Sequence, residues 1–392
     1  MSVKFFWVII YTLSLYLVKS APSLFSSVDL IANNSLTNLL NVEGNSNLRA
    51  AYGCVQKTSK CDPHLKRLGV RKEWGSLSEE ERKNYTNAVL CLQSLPAITS
   101  QEEVPGARTR FDDFVATHIN KTMSIHGTAN FLSWHRYFVL TYEKALQEEC
   151  NYTGYQPYWD WTKYSNDPYS SPIFDGSDAS MSGNGEYSDI TDGMGPLHAN
   201  LRIPPGIGGG CVKSGPFKNM TVNLGPVLLY GFFSGHSGFG YNPRCLKRDI
   251  SSWVSRRYTN TEKVISLIED ESNISGFQNT LQGRPEQGFL GVHGGGHYTV
   301  GGDPGADFFC SPGDPIFYLH HAMIDRVWWI WQNFKDLEER QSALAGTRTM
   351  YNIPPSPEAT LDDLMDLGVN APEITISEMM NTAELENWYI YL

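Results

Sequence analysis

The distribution of histidines constrains this chain more than any other feature of its sequence. Ten histidines occur among 392 residues, and seven of them fall into two clusters far apart in the chain. The clusters are His118, His126 and His135, in THINKTMSIHGTANFLSWHRYF, and His293, His297, His320 and His321, in HGGGH and DPIFYLHHAMID. A single histidine in an apolar helix is usually a hydrogen-bonded core residue. Two triplets flanked by apolar helix indicate metal ligation instead.

The spacing within each cluster predicts how the imidazoles are presented. His293 and His297 are four residues apart, so a helix would place both on one face. The three glycines between them are poor helix formers, and HGGGH taken alone favours a flexible loop. Small residues around His126 predict a loop there, and His135 follows on a long helix. A helix–loop–helix pair therefore delivers three imidazoles to one point.

The type of ligand narrows the choice of metal. Imidazole nitrogens suit copper, zinc, iron and nickel, whereas Mg²⁺ and Ca²⁺ prefer oxygen ligands. Neither cluster offers a carboxylate at a suitable spacing, which argues against an iron site with two histidines and one carboxylate. No CxxC motif occurs, so a cysteine-based zinc or redox site is not predicted. Two all-histidine triplets favour a pair of copper ions over a pair of zinc ions.

Consecutive helical residues cannot both face one point, so only one of His320 and His321 is predicted to be a ligand. We favour His321, because Asp325 lies one turn later, where a carboxylate would bind the second ring nitrogen and orient the ring. His320 is then expected to point elsewhere. Asp160, in PYWDW, is a similar candidate for the first triplet, although an ordinary structural hydrogen bond explains it equally well.

Composition and periodicity predict one mainly helical domain. Apolar residues make up 41% of the chain and charged residues 19%, which indicates a large core. The length allows two or three domains, but no linker or repeat divides the sequence. Helices are predicted from a Ser78 N-cap to residue 92 and over residues 111–119, 131–150 and 314–334. Residues 165–245 are rich in Gly, Pro, Ser and Asn and predict long loops.

The first twenty residues resemble a secretory signal peptide. Lys4 precedes the apolar stretch 5–18, and small Ser20 provides a cleavage point for residues 1–20. The apolar stretch is shorter than the roughly 20 residues of a spanning helix, so a signal anchor is the weaker alternative and no membrane association is expected after cleavage. Residues 21–50 carry little charge and predict a weakly ordered leader before a folded body at 51–392.

Sequons and cysteines also suit a secreted, extracellular protein. Six Asn-x-Ser/Thr sequons are candidate glycan sites, at Asn33, Asn84, Asn120, Asn151, Asn219 and Asn273. Cys211 and Cys245 flank one loop region and are predicted to pair, whereas Cys310 is predicted to be the odd free thiol. The remaining cysteines leave three connectivities open: Cys54, Cys61, Cys91 and Cys150. The net charge of −11 argues against a nucleic-acid partner.

Two stretches resemble the copper-binding signatures of tyrosinases and catechol oxidases, the type 3 copper proteins. They are HGTANFLSWHRYFVLTYEKAL and DPIFYLHHAMIDRVWWIWQ, and the likeness to short secreted fungal enzymes extends over about residues 51–392. The resemblance implies an antiparallel four-helix bundle, with long loops and few short strands, that holds two copper ions. It assigns the first copper to His118, His126 and His135, and the second to His293, His297 and His321. It also implies that O2 oxidises small o-diphenols to o-quinones, with monophenol hydroxylation in some members.

The sequence departs from the family pattern beside two ligands. Ser124 stands where several fungal tyrosinases carry a cysteine that forms a thioether to the second ligand, so that bond is not expected. Gly294 stands where efficient monophenolases often have an asparagine, which holds a water together with a nearby glutamate. Glu286 is the candidate glutamate, but Gly294 has no side chain, which favours catechol oxidation. Gly294, Tyr298 and Phe317 are predicted to line the substrate pocket.

Three alternatives stay open. A full tyrosinase would also hydroxylate monophenols strongly, and a haemocyanin-like oxygen carrier would use the same ligands without turnover. A dinuclear zinc hydrolase is disfavoured because a bridging carboxylate is missing. About seventy residues follow the last predicted ligand, His321, so we expect no C-terminal domain that covers the site. The sequence carries no signal for an oligomeric state.

Overall fold

Helices dominate the part of the chain that the structure describes. The computed structural model describes residues 27–57, 61, 68–189, 201–227, 237–284, 287–384 and 388–392. The helices are α1 (Ser27–Asn41), α2 (Ser46–Val55), α3 (Glu79–Leu92), α4 (Arg110–Ile125), α5 (Phe131–Cys150), α6 (Ser252–Tyr258), α7 (Thr261–Glu269), α8 (Ile274–Gln282), α9 (Gly291–Val300), α10 (Ile316–Phe334) and α11 (Leu337–Arg340). The strands are β1 (Gly69–Arg71), β2 (Gly185–Tyr187), β3 (Gly209–Val212), β4 (Thr221–Val222), β5 (Arg244–Cys245), β6 (Leu364–Met365), β7 (Ile374–Thr375) and β8 (Tyr389–Tyr391). The prediction of a mainly helical fold with few short strands is confirmed.

Four of these helices form the expected bundle. The short connection 126–130 joins α4 to α5, and these two helices pack together. α10 packs against both α5 and α9. The indoles of Trp328, Trp329 and Trp331 on α10 are each at most 1% exposed. A helix that is apolar on all sides must be surrounded by protein, so α10 lies at the centre of the fold.

Side-chain caps explain where two of the helices begin. Ser78 Oγ accepts a hydrogen bond from the Glu81 N–H (3.2 Å), and Glu81 Oε2 accepts one from the Ser78 N–H (2.8 Å). This is the capping box predicted for α3. Thr109 and Asp112 form a second one at α4. α5 matches its predicted range, whereas α4 extends to residue 125 and α10 begins at residue 316 instead of 314.

The prediction of a weakly ordered leader over residues 21–50 is wrong from residue 27 onward. One stripe of α1 is buried: Val28, Ile31, Ala32, Ser35, Leu36 and Leu39. Ser35 Oγ donates to the carbonyl oxygen of Ile330 (3.0 Å), and Arg326 Nη2 donates to Asp29 Oδ1 (2.9 Å). A low charge is compatible with order here because α1 packs on the apolar α10. The folded body therefore begins before residue 51, and the predicted signal peptide, 1–20, lies outside the described residues.

Disulfides and surface asparagines agree with the sequence analysis. The pairs are Cys54–Cys61, Cys91–Cys150 and Cys211–Cys245. The predicted pairing of Cys211 with Cys245 is confirmed, and the structure selects one of the three arrangements left open for the other four. Cys310 is free and buried, as predicted. All six sequon asparagines are exposed, so each is sterically open to a glycan.

The last strand, β8, pairs with the first strand, β1. β8 runs parallel to β1, with Tyr389 opposite Gly69 and Tyr391 opposite Arg71. In their described part, residues 165–245 contain short strands, turns and a single-turn 3-10 helix (Pro168–Ser170), which agrees with the predicted long loops. Across the described residues, every helix is too short or too polar to cross a membrane.

Candidate metal centre

Three buried imidazoles converge where α4 meets α5. His118 lies on α4, His126 follows its last turn, and His135 lies on α5. One ring nitrogen of each lies within 4.8 Å of those of the other two. The helix–loop–helix delivery predicted from the spacing is confirmed.

Hydrogen bonds determine the tautomer of each of these rings. Each Nδ1 donates to a backbone carbonyl: His118 to Phe309 (2.7 Å), His126 to Thr122 (2.9 Å) and His135 to Phe131 (2.8 Å). A carbonyl oxygen only accepts, so each Nδ1 carries the proton and each Nε2 carries a lone pair. The Nε2 atoms of His118 and His135 have no hydrogen-bond partner among the described residues. A bound metal ion would satisfy these buried lone pairs.

The second group combines α9 with α10. His293 and His297 lie four residues apart on α9, and His321 lies on α10. The Nε2 atoms of His297 and His321 are 3.2 Å apart, and the Nε2 of His293 has no hydrogen-bond partner in the described structure. A cation between these atoms would satisfy several lone pairs at once. HGGGH is therefore helical, and its interpretation as a flexible loop is wrong.

Two of the three glycines between His293 and His297 are required by close packing. A Cβ on Gly295 would lie 2.6 Å from Tyr258 Cβ, and a Cβ on Gly296 would lie 2.1 Å from His320 Cε1. Both distances are too short for carbon atoms, so only glycine lets α9 approach its neighbours. A Cβ on Gly294 would meet only Leu290, at 3.3 Å. Tertiary packing thus outweighs the low helix propensity of glycine.

The two groups face each other and form one site. The rings of His135 and His321 stack with centroids 4.5 Å apart, and those of His126 and His293 lie 5.8 Å apart. The predicted ligands are therefore six imidazoles in one buried centre. This donor set fits two ions of a metal that favours nitrogen ligands.

Burial keeps the imidazoles neutral, which is the form that binds metal. Loss of solvent lowers the pKa of His118 to about 4 and the pKa of His297 to about 3. The pKa values of the other four predicted ligands are also lowered, again chiefly by burial. Protons therefore do not compete for the lone pairs at neutral pH.

The predicted hydrogen bond between Asp325 and His321 is absent from the described structure, so that prediction is wrong. Asp325 Oδ1 accepts from Arg136 Nε (2.6 Å). Its Oδ2 accepts from Arg71 Nη1 (3.2 Å) and from the hydroxyls of Tyr389 and Tyr391 (2.6 Å each). Helical spacing placed Asp325 one turn from His321, but two guanidinium groups on neighbouring elements bind its carboxylate more strongly than a neutral imidazole would.

Asp160 and His320 have structural hydrogen bonds. Asp160 Oδ1 accepts from the N–H (3.0 Å) and the hydroxyl (2.6 Å) of Thr162, which favours the ordinary structural interpretation. His320 Nε2 donates to the carbonyl oxygen of His293 (3.0 Å). A ring nitrogen of His320 nevertheless lies within 4.8 Å of the second group, so the expectation that it points elsewhere is wrong. Its close packing against Gly296 places it there.

The centre opens into a small cavity of about 40 Å³. Tyr298 lines it, as predicted, together with His126, His293 and His297. Gly294 and Phe317 are not among the residues that line this cavity, so their place in the substrate pocket stays a prediction. A Cβ on Gly294 would contact Leu290, and the ring of Phe317 stacks on the ring of His321 with centroids 4.1 Å apart. Glu286 lies outside the described residues.

Five residues that line this cavity were not predicted from the sequence, and Asp307 and Phe308 are the two with contacts of note. Phe308 packs on the ring of His126 with centroids 4.5 Å apart, and Asp307 is buried beside it. Both lie in the segment 301–315 between α9 and α10. The only signal in the sequence was their position between ligands of the second group. Their contacts could not be predicted, because these contacts involve residues far away in the sequence.

A helical bundle that brings two all-imidazole groups face to face has the donor set of a dinuclear metal centre. Comparisons with known proteins specify the family. Residues 108–334 match the model of the common central domain of tyrosinase. The chain belongs to the tyrosinase family.

Similar proteins match this chain over most of its length. The chain is 40% identical over 352 residues to Tyrosinase P of Aspergillus terreus, covering 87% of this chain and 97% of that protein. It is 42% identical over 341 residues to N-acetyl-6-hydroxytryptophan oxidase ivoB of Emericella nidulans, covering 82% and 92%. A variant of the polyphenol oxidase of Thermothelomyces thermophila has a similar structure, with a TM-score of 0.83, 44% identity, and coverage of 93% of this chain and 97% of that one. The protein is thus an oxidase of the tyrosinase family.

Proposed function

We propose that this protein is a secreted oxidase that binds two copper ions and uses O2 to oxidise o-diphenols to o-quinones. The observation that carries the proposal is the pair of facing imidazole groups, in which lone pairs of buried Nε2 atoms lack donors. The donor set holds no carboxylate or thiolate among the described residues, which favours copper over the carboxylate-bridged zinc of a hydrolase.

The chain itself supplies ligands, orientation and exclusion of water. Two bound copper ions would supply one-electron redox chemistry in pairs, as the loss of two electrons and two protons from a catechol requires. Backbone carbonyls hold three of the imidazoles in the tautomer that presents Nε2. Burial keeps the rings neutral. Among the described residues, Tyr298 and Phe308 line the small cavity beside the rings, where we propose that a planar phenol binds.

Catechols are the proposed substrates because the cavity offers no available base among its described lining residues. Asp307 is the carboxylate there, and its oxygens accept hydrogen bonds from three backbone N–H groups. Gly294 provides no side chain to position a water. A catechol is more easily oxidised than a monophenol, so it depends less on a base that removes the phenolic proton. A full tyrosinase with strong monophenolase activity is the alternative.

Secretion is proposed on three observations. The N-terminal residues have the pattern of a signal peptide, three disulfides are present, and all six sequon asparagines are exposed. Disulfides persist in oxidising compartments, which agrees with an extracellular enzyme.

A panel of substrates tests the proposal. Copper-loaded protein would be assayed in parallel on tyrosine, tyramine, dopamine and 4-tert-butylcatechol. We expect rapid O2 uptake with the two catechols and little with the two monophenols. Strong tyrosine hydroxylation after a lag would establish the full-tyrosinase alternative. Reversible O2 binding without turnover of any of the four would establish an oxygen carrier.

A further inference from the structure

His118 is oriented differently from the other imidazoles of the first group. His126 and His135 donate to carbonyls four residues earlier in the chain, so their own helical segments orient them. His118 donates to the carbonyl of Phe309, which is 191 residues away. The orientation of His118 therefore depends on the segment 301–315, which connects the two helices of the second group.

Asp307 holds this segment in place. Its Oδ1 accepts from the N–H groups of Phe309 (2.8 Å) and Cys310 (3.2 Å), and its Oδ2 accepts from the N–H of Val227 (2.8 Å). The residue is 6% exposed. A buried carboxylate with three backbone donors is well stabilised, and it restricts the segment to one conformation.

The carboxylate and the imidazole bind opposite ends of one peptide group. The carbonyl of Phe309 and the N–H of Cys310 belong to the same peptide bond. The N–H end donates to Asp307, and the carbonyl end accepts from His118 Nδ1. A negative charge at the N–H end polarises the peptide and makes its oxygen a better acceptor. A stronger hydrogen bond at Nδ1 raises the basicity of Nε2, the atom that faces the metal site.

We infer that Asp307 is a positioning residue for the first metal group and acts on His118 through the Phe309–Cys310 peptide. Its neighbour Phe308 packs on the ring of His126, so one short segment orients two ligands of the first group. The segment that joins the second-group helices thus sets the metal affinity of the first group. This inference rests on the proposed function only in that copper is the metal.

Separate measurements on the two groups test the inference. His297→Ala leaves the first group as the intact copper site, and His135→Ala leaves the second. Asp307→Asn preserves the size of the side chain and removes its charge. In the His297→Ala background we expect Asp307→Asn to weaken copper binding by about 10- to 100-fold, measured by competition with a chromophoric chelator. In the His135→Ala background we expect a clearly smaller loss, because His297 of the second group is bound by the backbone of Gly305 and not by the Phe309–Cys310 peptide.

Asp249→Asn is the matched control. Asp249 is also buried, and its carboxylate accepts from the N–H groups of Gly206 (2.8 Å) and Gly208 (3.0 Å), but it has no hydrogen bond to a histidine in the described structure. We expect no change in copper affinity in either background. If Asp307→Asn does not fold, Asp307→Ser retains a neutral acceptor, and the same result is expected.

Three outcomes would overturn the inference: unchanged affinity of the first group, an equal loss in both backgrounds, or an equal loss from Asp249→Asn. Absence of catechol oxidation by the unaltered protein with two coppers bound would contradict the proposed function instead. The affinity result would still stand in that case, because it does not depend on turnover.

Discussion

Arg136 Nε lies 2.6 Å from Oδ1 of Asp325, in an ion pair that is almost completely closed to solvent. Arg136 follows His135 on α5, and Asp325 lies one turn after His321 on α10. The pair therefore joins the ligand helix of the first group to that of the second. Arg71 adds a second cation to the same carboxylate, with its Nη1 3.2 Å from Oδ2. These contacts hold the two ligand helices in register at the base of the metal centre.

Removal of the carboxylate should destabilise the protein severely. Asp325→Asn leaves the buried guanidinium of Arg136 without its anion, whereas Arg71 keeps Glu143 (3.0 Å), and breaking a buried ion pair costs about 3–5 kcal/mol. Urea unfolding of the metal-free protein would measure this loss. Asp363→Asn is the control, because Asp363 pairs with the half-exposed Arg348 at the surface and little change is expected there. An equally small effect at Asp325 would show that the buried pair does not join the helices.

The same carboxylate should make stability depend on pH. Burial alone would raise the pKa of Asp325, but Arg136 and Arg71 outweigh it and hold that pKa below its usual range. The folded value thus lies below the unfolded value of about 3.9, so the contribution is complete above that pH and is lost as the pH falls through the folded pKa. We expect the unfolding free energy of the metal-free protein to fall more steeply below about pH 4 than that of Asp325→Asn. Parallel curves for the two proteins would refute this assignment.

Gly294 and Gly296, which lie two residues apart on α9, should respond oppositely to substitution by alanine. Gly296→Ala would place a methyl group 2.1 Å from His320, so we expect destabilisation of about 1–3 kcal/mol and reduced copper content. Gly294→Ala meets only Leu290 at 3.3 Å, and alanine favours the helix by up to about 1 kcal/mol. Thermal unfolding and metal analysis of both variants provide the comparison. Equal behaviour of the two variants would contradict the packing argument.

The free thiol should be inert in the folded protein. Burial, assisted by the nearby Asp307, raises the pKa of Cys310 well above its usual value. The thiolate is the reactive form, so we expect no reaction with a thiol reagent under native conditions and one thiol per chain after unfolding without reductant. Rapid modification of the native protein would place Cys310 at an accessible site.

The sequence predicted the parts of the centre that depend on local spacing. Helical periodicity placed His135 on a long helix, and the capping box located the start of α3. His321 was preferred to His320 only because Asp325 lies one turn later, and the structure gives Asp325 other partners. Spacing predicted the wrong partner for Asp325, because the direction of a side chain depends on partners from other elements, here Arg71 and Arg136. It also missed Asp307, whose effect on His118 passes through hydrogen bonds between residues far apart in the chain.

Composition is a poor guide to order near the N-terminus. The segment 27–41 carries almost no charge, and composition alone predicts weak order there. The apolar stripe of α1 instead matches the aromatic surface of α10, which sequence alone could not place beside it. Long-range packing therefore accounts for most of what the sequence did not predict.

Copper content measured together with catechol oxidation shows whether the two imidazole groups form one dicopper oxidase centre. We predict two copper ions per chain in the active protein. We also predict about one copper per chain and no catechol oxidation in both His135→Ala and His297→Ala, because each substitution removes a ligand from one group. Full activity in either variant, or an active protein that contains zinc and no copper, would refute the dicopper assignment.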